Sequence, residues 1–192
     1  MTMDKKEEVV RCGGKPDDKT GRGLVHIYCG DGKGKTTCCV GLTIRAAGSG
    51  KKVLFYQFLK NNSSSERRIL DSIPEITAVA GEEIEKFTFQ MTEKELMDLH
   101  ESNDAILEKL FEMAKDYDML VMDESVYAVD AHLLSEEKLI KCLEEKPYSL
   151  EVVMSGRNPS EALKAHANYV SEICKRKHPF DEGVSSRLGI EM

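Results

Sequence analysis

Apolar residues along the chain gather in short runs that alternate with longer amphipathic stretches. "LVHIYC" (Leu24 to Cys29) reads as a strand that leads straight into a glycine-rich turn. A helix is predicted from about Thr36 through "TCCVGLTIRAAG", stopping at Gly48, where glycine supplies a left-handed C-cap. "KVLFYQF" (Lys52 to Phe58) is a second, almost continuously apolar strand, "NNSSS" (Asn61 to Ser65) a polar loop, and "ITAVA" (Ile76 to Ala80) a short strand. At "TEKE", Thr92 and Glu95 form a capping box. Leu96, Leu99, Ile106, Leu107, Leu110 and Met113 then recur at helical spacing until "KDYD".

"MLVM" (Met119 to Met122) is a buried strand running into Asp123 and Glu124. Ser135 caps a helix through "EEKLIKCLEE", whose first-turn acids suit the helix dipole. "EVVMSGR" (Glu151 to Arg157) is another strand. Asn158, Pro159 and Glu161 then offer a cap, a first-turn proline and a box acid, and "YVSEIC" (Tyr169 to Cys174) closes the series. Apolar strands alternating with helices predict one α/β domain of P-loop NTPase-like class over residues 23–192. Its sheet is expected to be mostly parallel, five- or six-stranded and covered by helices on both faces.

Composition narrows the function. The 192 residues are 41% hydrophobic and 32% charged, as in an ordinary globular domain. No apolar run approaches the roughly 18 residues of a membrane span. Residues 1–22 are charged and lack a secretory apolar segment, so they read as a flexible or partner-capping arm on a cytoplasmic protein. A net charge of −7 with scattered basic residues argues against nucleic acid as a partner. The six cysteines form no C-x-x-C pair and no zinc spacing, which fits free thiols in a reducing compartment.

The chemistry concentrates in "YCGDGKGKTTCC" (Tyr28 to Cys39). The generic phosphate loop is G-x-x-x-x-G-K-[ST]. Gly34, Lys35 and Thr36 fill its end, but Cys29 stands where the first glycine belongs. A strand-to-helix turn converges backbone N–H groups on an anion if side chains stay clear, which accounts for Gly30, Gly32 and Gly34. Lys35 can bridge phosphate oxygens, Lys33 adds a second cation, Thr36 can ligate magnesium, and Asp31 and Thr37 lie on the same turn. Asp123 and Glu124 end a strand at the edge where ligands of open α/β sheets bind. Either acid can hold magnesium or manganese opposite Thr36, and in an ATPase Glu124 would be the base that activates water. Arg157 follows its strand to the same edge and can meet phosphate charge. Arg45, nearly three turns into the first helix, fits either nucleotide contact or a surface ion pair. Gln57 and Lys60 end the second strand within reach of nucleotide or a second substrate.

Taken in order, "CGDGKGKTT", "GKKVLFYQFLK", "SERR", "FTF" (Phe87 to Phe89), "YDMLVMDE", "VVMSGR" and "KHPFDEGVSSRLGIE" resemble the P-loop type of cob(I)alamin (corrinoid) adenosyltransferase. The resemblance runs from about Leu24 to the end of the chain. It implies transfer of the 5′-deoxyadenosyl group of ATP to the Co(I) centre of a reduced corrinoid, with release of inorganic triphosphate. ATP and corrinoid are then substrates, magnesium assists, and a reductant such as a flavoprotein supplies electrons, usually to a homodimer. The family's loop commonly reads G-N-G-K-G-K-T, so the missing first glycine is a family trait and Asp31 is the departure. The resemblance makes Lys35, Lys33 and the loop amides stabilisers of the leaving triphosphate. It also matches Phe87 and Phe89 to an aromatic pair that displaces the corrinoid's lower axial ligand. By burial habit alone two phenylalanines would be core residues. On an extended segment they would share one side. His178 is expected to order the C-terminal segment over the nucleotide. Asp181, Gly183, Gly189 and Glu191 match family positions without an assignable role. The competing reading is a P-loop ATPase or kinase acting at the γ-phosphate, and a third is a nucleotide-binding module without turnover.

Overall fold

Strand β2 (Val53–Gln57) is buried at every position, because both faces of the sheet that carries it are covered. The computed structural model describes residues 21–62, 64–81 and 88–191. Within them six parallel strands form one sheet in the order β3-β2-β4-β5-β1-β6. These are β1 (Val25–Cys29), β2, β3 (Ile76–Ala78), β4 (Met119–Asp123), β5 (Glu151–Ser155) and β6 (Tyr169–Glu172). Parallel strands need crossovers, which the helices supply: α1 (Lys35–Gly48), α2 (Arg67–Leu70), α3 (Glu93–Met113), α4 (Ser125–Asp130), α5 (Glu136–Glu145) and α6 (Glu161–Ala165).

Strand alternation sorts the core into two layers. Leu54, Leu120, Met122, Val152 and Met154 meet Leu107 and Leu110 of α3 and Leu139 of α5 on one face. Val53, Phe55, Val121 and Val153 meet Cys39, Ala46 and Ala47 of α1 and Leu70 of α2 on the other. Small α1 residues let that helix lie close over the central strands. The edge strand β6 is exposed throughout.

Most predicted boundaries agree with these spans, and the differences have local causes. Gly48 is the last residue of α1. Ser49 follows at φ −94°, and the left-handed residue is Gly50, at φ 84°. The cap of α6 is Ser160, whose hydroxyl accepts from the Leu163 N–H. Glu161 is therefore its first helical residue, and Asn158 instead donates to Asp130. Helix α2 grows out of the expected polar loop, and α4 follows the acid pair directly. Both are too short to show a period. The Thr92–Glu95 capping box and the Ser135 cap form as predicted. The proposed arm falls outside the described residues except for Gly21 and Arg22. Among the described residues no helix is long and apolar enough to cross a membrane.

The strand order reverses its sense around β1, whose neighbours are β5 and β6 while β2 lies beyond β4. A crevice opens at such a switch point beyond the carboxyl ends of the strands. The loop after β1 and the acids after β4 both emerge there.

Candidate active site

Cys29 is the last residue of β1, 5% exposed, with its side chain in the core. The position that carries the first glycine of a generic loop is therefore still strand here, and it tolerates a side chain. The turn begins at Gly30, whose φ of 104° suits glycine. A second constraint acts on Gly30 and Gly32. A Cβ on either would lie 2.5 or 2.7 Å from the carbonyl oxygen of Ile173, just beyond β6. The Ile173 N–H donates to Cys29 O and the Gly32 N–H donates to Ile173 O, at 2.8 and 2.7 Å. The chain leaving β6 is thus laced to the loop.

Asp31 takes part in the same lacing. Its carboxylate accepts the Lys175 N–H at 2.8 Å, and that bond holds its pKa below the ordinary carboxylate value, helped by the Lys175 and Lys35 charges. An acid beside a phosphate loop is tolerated because it is committed to a backbone donor.

Gly34, at φ 124°, precedes α1 without a side-chain cap, and no acid lies in the first turn. The helix's opening N–H groups and the positive end of its dipole are left for an anion. Lys35 folds back over the turn, its ammonium 2.8 Å from Gly30 O and 2.9 Å from Gly32 O.

Asp123 is fully buried at the end of β4. Parallel register sets Gln57 directly beside it and brings the end of β5 next to it. Its Oδ1 accepts the Ser155 hydroxyl at 2.5 Å, and its Oδ2 accepts Gln57 Nε2 at 3.1 Å and Lys60 Nζ at 2.7 Å. Gln57 donates also to Glu66, at 2.8 Å. Lys60 Nζ in turn lies 3.0 Å from Thr36 Oγ1. Thr36 and Asp123 therefore converge on one cation-sized position. Burial alone would lower Lys60, but Asp123 more than offsets it and holds the ammonium above its ordinary pKa.

Glu124 takes a left-handed conformation, φ 59°, at the entry to α4. Such strain at a non-glycine residue persists only where its surroundings enforce it. Here the Ser155 hydroxyl accepts the Glu124 N–H at 3.0 Å, and Gly156 allows α4 to approach, since a Cβ there would be 2.2 Å from Tyr127 N. Burial first, and the Asp123 charge second, push the Glu124 carboxyl above its ordinary pKa. A hydroxyl and two carboxylates suit magnesium, which keeps water and phosphate among its ligands. Among the described residues no group of three or more His, Cys, Asp and Glu is placed to cage a metal.

A cavity of about 280 Å³ lies over the loop, lined by residues 31–37 with Glu124, Arg157, His178 and Glu191. A second, about 560 Å³, shares Lys33, Thr36, Thr37 and Glu191 with it and reaches Lys60 and Glu66. The C-terminal segment roofs both. His178 caps a 3₁₀ turn (Pro179–Glu182) by accepting the Phe180 N–H, and Gly183 ends it at φ 83°. Arg187 pairs with Glu191 at 2.8 Å and draws its carboxyl down to about 2. Asp181 pairs with Lys175 at 3.1 Å, and Gly189 turns at φ 74°.

The structure thus gathers Gly30, Asp31, Gly32, Lys33, Gly34, Lys35, Thr36, Thr37, Gln57, Lys60, Asp123, Glu124 and Arg157 at one edge of the sheet. Arg45 does not join them. Ten residues along α1 from Lys35, or about 15 Å of rise, it borders a separate cavity with Asp118 and Glu151 at the strands' opposite ends. Phe87 lies outside the described residues. Phe89 falls in a 3₁₀ turn (Thr88–Gln90), so its own backbone is not extended. Sequence reasoning missed Ser155 and Glu66. The usable signal for Ser155 is its place at the end of the strand next to that of Asp123.

Residues 21–192 match the family described as ATP:corrinoid adenosyltransferase BtuR/CobO/CobP. A corrinoid adenosyltransferase of Escherichia coli is 32% identical over 179 residues, covering 88% of this chain and 86% of that protein. The corrinoid adenosyltransferase CobA of Salmonella typhimurium is 31% identical over the same shares. Among solved structures, a KaiC-like protein from Pyrococcus horikoshii superposes with a TM-score of 0.53 at 16% identity, covering 82% of this chain and 74% of that one, which bears on the fold alone.

Proposed function

The chain belongs to the ATP:corrinoid adenosyltransferase family, and from that premise we propose how its phosphate loop serves adenosyl transfer. The enzyme moves the adenosyl group of ATP to a corrinoid. In the proposed step the electron pair of Co(I) attacks the ribose 5′-carbon and the bond from that carbon to the α-phosphate oxygen breaks. Cobalt goes formally from +1 to +3, and the bond pair departs on inorganic triphosphate.

The nucleophile arrives with the substrate, so the protein's work is to place the 5′-carbon and accept the leaving charge. The observation that carries this reading is the cationic, capless opening of α1. Lys33, Lys35 and the first N–H groups of the helix face one cavity with Arg157. Lys35 gives up its carbonyl partners, Gly30 and Gly32, for phosphate oxygens. Thr36, Asp123 and Glu124 would hold magnesium, which neutralises further triphosphate charge when bound. A flavoprotein is the class of reductant that would deliver Co(I). Five free cysteines among the described residues support a reducing, cytoplasmic setting.

The raised Glu124 carboxyl beside the loop also suits attack at the γ-phosphate. A β,γ-imido analogue of ATP separates the two. Transfer from the 5′-carbon leaves the β–γ bridge intact, so the analogue is expected to yield adenosylcorrinoid with chemically reduced cobalamin. If the analogue binds at ATP-like affinity but yields none, the reading fails.

A further inference from the structure

Lys60 lies outside the phosphate-loop pattern, yet its ammonium sits between Thr36 Oγ1 and Asp123 Oδ2, at 3.0 and 2.7 Å. Those are the two groups that would face each other across a metal. The chain is shaped to put it there. The Phe58 N–H extends the β2 ladder by donating to Asp123 O at 2.9 Å. Leu59 then takes φ 55°, a left-handed turn made without glycine, which bends the chain back toward the loop. The other partners of the buried Asp123 carboxylate, Ser155 and Gln57, are neutral, so Lys60 supplies its counter-charge. An ammonium at these distances and a divalent cation cannot share the position.

We propose that Lys60 is the resident occupant of the metal position. It keeps the Thr36–Asp123 gap closed to free divalent cation and yields only when nucleotide brings the metal. Its released ammonium then turns to the triphosphate. The side chain is 26% exposed and borders the larger cavity with Thr36 and Glu66, so it has room to swing. The arrangement makes metal binding conditional on nucleotide and keeps the positive charge count of the site high once both are bound. The inference rests on Thr36 and Asp123 being the metal ligands.

Manganese binding to the full chain, without corrinoid, tests it through the electron paramagnetic resonance signal of free Mn2+. The wild-type chain is expected to bind Mn2+ at least tenfold more weakly without ATP than with it. Lys60→Met should tighten nucleotide-free Mn2+ binding about tenfold or more, and Asp123→Asn added to it should remove the gain. Lys60→Gln, which retains a neutral donor to Asp123, is the second variant if Lys60→Met does not fold. Unchanged affinity in either folded variant overturns the proposal. So does a wild-type chain that binds free Mn2+ as tightly as the ATP-loaded chain, with no variant needed. If instead Asp123→Asn leaves Mn2+ binding in the presence of ATP untouched, the ligand assignment fails and the proposal falls with that premise, whereas unchanged affinity in the Lys60 variants overturns the role of Lys60 itself.

Discussion

Glu124 carries the most conflict of any residue at the site. It is strained in its backbone, half enclosed, and set beside the buried Asp123. Its carboxyl binds a proton more tightly in the folded than in the unfolded chain. Stability therefore falls as pH rises from the ordinary carboxylate value near 4.5 through the raised one. Glu124→Gln is expected to lower kcat by about 10- to 100-fold, the scale of losing one charged contact to a metal–phosphate group. It should also raise Tm by a few degrees at pH 7, an advantage that shrinks as pH approaches about 4. Thermal melts across pH and steady-state rates check both halves, and a Tm gain that does not depend on pH would contradict the account. At this scale the sequence was legible where a motif names the residue, as for Lys35, Thr36 and Asp123. Asp31 was not. Its partner is the backbone of Lys175, 144 positions away, and no local pattern encodes that bond. Ser155 escaped notice for the same reason, because its role comes from a neighbouring strand.

The informative unit among the elements is the loop laced to the chain beyond β6. Gly30 and Gly32 read as glycines kept for phosphate, yet in the structure they also admit Ile173. Gly32→Ala should therefore destabilise by about 2 kcal/mol through overpacking against backbone. In a domain of this size that lowers Tm by about 4–8 °C. Gly41→Ala is the control. A Cβ there meets nothing within 4 Å in the interior of α1, so helix propensity should leave it neutral or slightly stabilising. Differential scanning calorimetry of the two variants decides it, and equal melting temperatures would show that the glycine serves only phosphate. The long elements were readable because periodicity and caps agree, as at Thr92 and Ser135. Helices α2 and α4 were not, since four and six residues hold barely a turn or two of pattern. At α6 the cap moved from Asn158 to Ser160, because asparagine and serine are about equally good N-caps in sequence and only tertiary contacts choose between them.

For the molecule as a whole, the parallel sheet covered on both faces followed from the apolar strands. Its order, with β1 between β5 and β6, did not. That order brings the phosphate loop, the β4 acids and the C-terminal segment to one crevice, and it leaves Arg45 at the other end. The proposed chemistry requires this crevice to hold triphosphate as a leaving group. Phosphorus-31 NMR of a reaction containing ATP, magnesium and chemically reduced cobalamin tests it most directly. Intact inorganic triphosphate in one-to-one proportion with adenosylcobalamin is the expected result. Orthophosphate and ADP as the primary products, formed with or without the corrinoid, would contradict it.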